Sequence, residues 1–147
     1  MLRRPLALLA LTCLACTASA QSDVAPALYV QAADIAQALQ RSAAERSGMA
    51  VGTITTTDDY RINLIRRTTP AGAISHAVGT ELHYITEGAG TLVTGGTIIR
   101  GANGGNATIE NGVSRRVSVG DAILIPVGTP HWYSAIEGAI SYLEVRF

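Results

Sequence analysis

The sequence predicts an all-β fold, a barrel or sandwich entered through one short helix. Three observations carry this. From Val51 onward the chain is a series of short runs rich in Val, Ile, Thr and Tyr, broken by Gly, Asn and Pro, which is the texture of strands joined by turns. No strand–helix alternation follows, so a parallel α/β sheet is not expected. The 147 residues, 48% hydrophobic and only 15% charged, suit one compact domain and argue against disorder.

Residues 1–20 read as a signal peptide. Arg3 and Arg4 give the positive start, residues 6–15 a short apolar run, and Ala18-Ser19-Ala20 a small-residue cleavage site, with Gln21 as the new N-terminus. The apolar run is about half of the ~20 residues a spanning helix needs, so a retained anchor is the weaker reading. A lipid anchor on Cys16 is also weaker, because Cys13 stands where such a site usually has a branched aliphatic residue. Both cysteines, Cys13 and Cys16, leave with the signal. The mature chain then has no disulfide, no thiolate metal site and no cysteine nucleophile. The expected location is the periplasm or outside the cell, with no membrane partner after cleavage.

The formal charge of the whole chain is zero. Removing Arg3 and Arg4 leaves nine arginines against eleven acidic residues, a charge of −2. No basic block appears, so nucleic acid is not an expected partner. Lysine is absent, which removes Schiff-base chemistry from the options.

Residues 21–48 form a leader and a helix. The helix is expected from Ala33 to about Glu45, with Asp34 as its cap and Gly48 as its stop. Ile35, Ala38, Leu39 and Ser42 fall on one stripe. Residues 49–147 form the β domain. Strands are expected over 53–57 and 60–67, then 74–78, 81–87, 91–94, 97–100, 107–110, 113–119, 122–125, 131–136 and 140–147. The glycine-rich segment 101–106 (GANGGN) does not join a strand to a helix, so it reads as a hairpin end or rim and not as a phosphate cradle. In the last strand Ile140, Tyr142, Glu144 and Arg146 share one face, which suits burial, including burial at a subunit interface.

All three histidines fall in two segments, HAVGTELHYITEG (76–88) and GDAILIPVGTPH (120–131). Strand alternation puts Glu81 and His83 on one face, with Ile85 and Glu87 behind them. It likewise puts His131 and Tyr133 together, with Trp132 on the opposite face. The Pro-Val-Gly-Thr-Pro turn at 126–130 aims His131. Borderline metals accept imidazole nitrogen and carboxylate oxygen, and three protein ligands leave positions open for a substrate.

These segments resemble the two motifs of the cupin family. The first family motif has two histidines separated by one residue, a glutamate after three or four intervening residues and a glycine after six more. His76, Glu81 and Gly88 match it. The second motif is matched at every spacing by Gly120, Pro126, Gly128 and His131. The resemblance covers most of the chain after Gly48. It implies a double-stranded β-helix (jelly-roll) barrel, often a homodimer, holding one divalent metal ion (Fe, Mn, Ni or Zn) through His76, Glu81 and His131.

Two positions depart from the pattern. Ile74 replaces the first histidine, and Ala135 stands where an asparagine is expected. His83 occupies a place where relatives often carry an aromatic residue. It can serve as a fourth metal ligand, as support for the ligands or as a general acid or base, and Tyr133 is a second candidate for moving a proton. The resemblance implies a metal-dependent enzyme of isomerase, lyase or dioxygenase type acting on a small oxygen-bearing molecule. The alternative is a periplasmic module that binds a small ligand or metal without turnover, which Ile74 favours. A third reading is a barrel with neither metal nor ligand. Fold does not choose among them.

Arg66 and Arg67 are adjacent, so one of them faces inward on a barrel strand, where it could hold a carboxylate substrate. A surface ion pair is the commoner use of such a residue, and the same holds for Arg115 and Arg116. Serine catalysis has no support: no Gly-x-Ser-x-Gly elbow occurs, and Ser75 alternates away from His76.

Overall fold

The computed structural model describes residues 24–147. The expected signal peptide and both cysteines lie outside the described residues. Among the described residues no helix is long and apolar enough to cross a membrane.

Helix α1 runs Ala32–Glu45. Its half-buried residues are Ile35, Ala38, Leu39 and Ser42, the stripe that the sequence pattern marks. This face rests on strand β1, Met49–Thr56. Gly52 permits the close approach, since a Cβ there would lie 3.1 Å from both the Ile35 carbonyl oxygen and Leu39 Cγ. The Val51 N–H donates to Ser42 Oγ at 3.0 Å, tying helix to strand. Asp34 is not the cap. Gln31 is, and its carbonyl accepts from the N–H groups of Asp34 and Ile35, which leaves Asp34 in the first turn, where a carboxylate suits the helix dipole. Gly48, at φ +81°, turns the chain into β1.

The remaining strands are β2 (Arg61–Arg67), β3 (Glu81–Thr94), β4 (Thr97–Ile99), β5 (Thr108–Glu110), β6 (Val113–Ser118), β7 (Ala122–Ile125) and β8 (His131–Arg146). All pairings are antiparallel. The main sheet has the order β1-β2-β8-β3-β6, with β7 also on β3. Strands β3 and β8 pair along nearly their whole lengths. The first residues of β3 pair in addition with β7, and its second half with β6. The two long strands therefore traverse both halves of the barrel. Ile65, Ile85, Leu92, Val117, Tyr133, Ile140 and Tyr142 form the core between them. The β4–β5 hairpin is closed by residues 101–106, as expected of a hairpin end.

The expected strands 81–87 and 91–94 are one strand, as are 131–136 and 140–147. Gly88, Gly90 and Gly138 mark bends, not ends. Pairing resumes beyond register shifts between Ile85 and Glu87 and between Gly88 and Gly90, and such bulges bend a strand while keeping its ladder. Gly88 has φ +67°, and a side chain there would overlap the Ala139 carbonyl oxygen. Residues 74–78 are not a strand. Ile74 makes a single bridge to His131, after which the His76 carbonyl accepts from the Gly128 N–H and the chain turns at Gly79, φ +81°.

Candidate metal centre

Glu81 opens β3 and is 1% exposed. His83, two residues on, shares its face and is equally enclosed, and Ile85 continues the row. Glu87 leaves it: the register shift after Ile85 turns Glu87 outward, where it accepts from Arg66 at 2.7 Å. His131 and Tyr133 point inward from the start of β8, and Trp132 turns aside to donate to the Ala71 carbonyl. His76 reaches the same point from the loop before β3 and is half-buried.

The three histidines converge on one carboxylate. His76 Nε2 lies 3.2 Å from Glu81 Oε1. His83 Nε2 and His131 Nε2 lie 3.3 Å and 3.4 Å from Oε2. His131 Nδ1 sits 3.0 Å from the Thr129 carbonyl oxygen, so in the neutral ring Nδ1 donates there and Nε2 keeps its lone pair for the centre. Burial lowers the pKa of His76 and of His131, more than the nearby Glu81 charge raises it, and favours the neutral imidazole that a metal needs. For Glu81, burial alone would push the pKa up. Contact with His83 and with the Arg146 guanidinium outweighs burial and brings it to about 2.

The residues fit a cation. Glu81 Oε2 and His83 Nε2 are buried and have no hydrogen-bond partner although they face each other. Buried polar atoms are normally partnered, so this pair calls for a proton or a cation beside the Glu81 carboxylate. Three ligand atoms, one each from His76, Glu81 and His131, lie within 4.8 Å of one another. A cavity of about 30 Å³, lined by these residues with His83, Tyr133 and Tyr142, has room for an ion and a water. His83 does not join that group of three. It belongs to a second one with Glu81 and Glu144. Its Nδ1 lies 3.2 Å from Tyr133 Oη, and its ring stands 4.5 Å from that of Tyr142. Burial drives the Tyr133 hydroxyl pKa far up and that of Tyr142 to about 12, so both phenols stay protonated.

Arg146, Glu144 and Arg67 also reach the site. Arg146 lies directly across from Glu81 in the ladder and donates its Nε to Oε1 at 2.7 Å, with a second contact from Nη2. Glu144 accepts from Arg61 and Asn63 at 3.1 Å and 3.0 Å. The signal for Glu144 and Arg146 lay in the alternation of the last strand, which put both on the face of Ile140 and Tyr142. That face lines the barrel interior. Arg67 is the inward member of its pair, donating Nε to Tyr142 Oη at 2.9 Å, while Arg66 makes the surface ion pair. Arg116 is likewise a surface partner, of Glu137.

Comparison with solved structures places this architecture. KdgF from Halomonas sp. superposes with a TM-score of 0.53 at 19% identity, over 69% of this chain and 81% of that one. Hydroxypropylphosphonic acid epoxidase (HppE) from S. wedmorenis superposes with a TM-score of 0.56 at 16% identity, over 70% of this chain. This chain spans about half of the epoxidase's length, 52%. A domain of Drosophila melanogaster CENP-C gives 0.53 at 16% identity, with 69% of each chain covered. The chain has the cupin fold. No protein-family model and no curated protein matches it. At these identities the likeness concerns the cupin architecture alone.

Proposed function

We propose that this protein is an exported, metal-dependent cupin enzyme acting on a small oxygen-bearing molecule. The observation that carries the reading is the convergence of three imidazoles on one buried carboxylate, two of whose facing atoms have no partner. His76, Glu81 and His131 hold one divalent ion, of iron, manganese, nickel or zinc. HppE, of the same fold, has been solved as its iron(II) form and as its cobalt(II) form with substrate, which supports an ion of this class. A bound ion would act as a Lewis acid on neighbouring oxygens of the substrate.

The chain's own residues supply the rest. His83 moves a proton, because its buried ring joins Glu81 on one side to the Tyr133 hydroxyl on the other. Tyr133, held protonated, serves as a donor and not as a base. Tyr142, buried beside His83, walls the site against water. The reaction is of isomerase, lyase or dioxygenase type. The residue 1–20 signal delivers the protein to the periplasm or beyond, where it works as a homodimer.

A non-catalytic binding module is the second reading. Ile74 in place of a histidine and Arg146 already engaging Glu81 favour it. One preparation separates the two. The protein purified without a histidine tag is analysed for metal and then assayed against hydroxy acids, sugars and catechols. About one equivalent of metal with turnover supports the enzyme. Metal without turnover of any compound supports the binding module. No metal, even after reloading, rejects the enzyme and the metal-binding form of the module.

A further inference from the structure

We propose that the substrate is a small carboxylate, and that Arg67 seats its carboxyl group while the other end reaches the metal centre. The inference rests on the metal-centre reading for the reacting end only, since Arg67 is not one of the ligands.

Arg67 ends β2 and is half-buried. Its Nε donates to Tyr142 Oη at 2.9 Å, and its Cζ lies 5.6 Å from the centre of the Tyr133 ring. These two contacts fix the guanidinium by one nitrogen and one face, leaving the terminal nitrogens for a ligand. Among the described residues Arg67 has no carboxylate partner. Its neighbours do: Arg66 pairs with Glu87, Arg61 with Glu144 and Arg146 with Glu81. A half-buried charge without a counter-charge, held rigid in advance, is costly unless something fills the gap.

The surrounding space agrees. Arg67 lines the small cavity at the histidines and also a larger one of about 320 Å³. The two share Arg67, Ile74, His76 and Glu144, so they adjoin along one wall. The larger is bordered by Arg46, Arg61, Arg67 and Arg146 against one carboxylate, Glu144. Glu144 and Glu81 neutralise Arg61 and Arg146. Arg67 and the exposed Arg46 remain to attract an anion in a chain whose formal charge is zero. One open guanidinium fork matches one planar carboxylate. The ligand is therefore a molecule with a carboxylate at one end and oxygen donors at the other, such as a hydroxy acid or sugar acid.

Trp132 is the single tryptophan and lines the small cavity, so its fluorescence reports binding there. The metal-loaded protein is titrated with lactate, malate and glucuronate, with their neutral amides, and with glucose 6-phosphate. At least one acid is expected to bind about tenfold or more tightly than its amide. That preference disappears in Arg67→Gln and persists in Arg66→Gln. No preference for any acid over its amide in the wild-type protein overturns the proposal, whether or not the variant folds. So does a preference that survives Arg67→Gln, or glucose 6-phosphate binding more tightly than every acid. Metal content is measured on the same samples. An acid preference lost in Arg67→Gln but seen without metal keeps the carboxylate seat and rejects the metal centre; bound metal without acid preference does the reverse.

Discussion

Glu81 and Arg146 face each other across the β3–β8 ladder, with the Arg146 guanidinium holding Oε1 while Oε2 is left to His83 and His131. The arginine thus neutralises a carboxylate that would otherwise sit charged in the barrel wall. Removing one partner of a buried pair leaves the other uncompensated. Arg146→Gln should destabilise the metal-free protein by about 3 kcal/mol. Divalent metal should restore part of the loss, since it meets the same charge. Urea unfolding of wild type and variant, with and without metal, checks both statements.

His83 stands outside the group formed by His76, Glu81 and His131, and its Nδ1 meets Tyr133. His83→Gln should therefore keep about one equivalent of metal while lowering turnover about 10²-fold or more. Elemental analysis beside a rate assay separates the two roles. Loss of the metal along with activity would make His83 a ligand.

Acid should weaken the metal-free protein in two stages. Burial holds His76 and His131 below their ordinary value of 6.5, and Glu81 is held at about 2 against 4.5. In each case the unfolded chain takes up its proton at a higher pH than the folded one. The histidine contribution to stability is complete above pH 6.5 and is lost as pH falls through their folded values; the Glu81 contribution is complete above pH 4.5 and is lost on the way to about 2. The thermal midpoint should be flat above about pH 7 and fall steadily below it. A midpoint that rises from about pH 7 to about pH 5 would contradict the burial argument.

Gly88 matches the last position of the first motif, and its backbone has φ +67° against the Ala139 carbonyl. Gly88→Ala needs both a strained backbone and a displaced strand. A loss of about 2 kcal/mol or more is expected, read from denaturant midpoints. Gly95→Ala is the comparison: it also has positive φ but no atom within 4 Å of a new Cβ, and should cost less.

The sequence carried much of this. The spacing from Gly120 to His131 placed the turn that aims His131, and period-two alternation placed Glu81 beside His83 and His131 beside Tyr133. The helix stripe Ile35, Ala38, Leu39, Ser42 is the face that meets β1. Local patterns gave less where a bend imitates an end. Gly88, Gly90 and Gly138 look like turn residues, yet the β3–β8 ladder runs through them on bulges. His76 was expected on a strand, but only Ile74 of that run finds a partner. Arg146 was visible as an inward residue of the last strand. Its partner Glu81 lies 65 positions away, a contact that periodicity cannot supply.

The most direct test is anomalous diffraction from crystals of the protein loaded with iron or zinc. The account predicts one strong peak about 2.0–2.3 Å from Nε2 of His76, Nε2 of His131 and a Glu81 carboxylate oxygen. No peak at these three residues, or one bound only elsewhere, would contradict it.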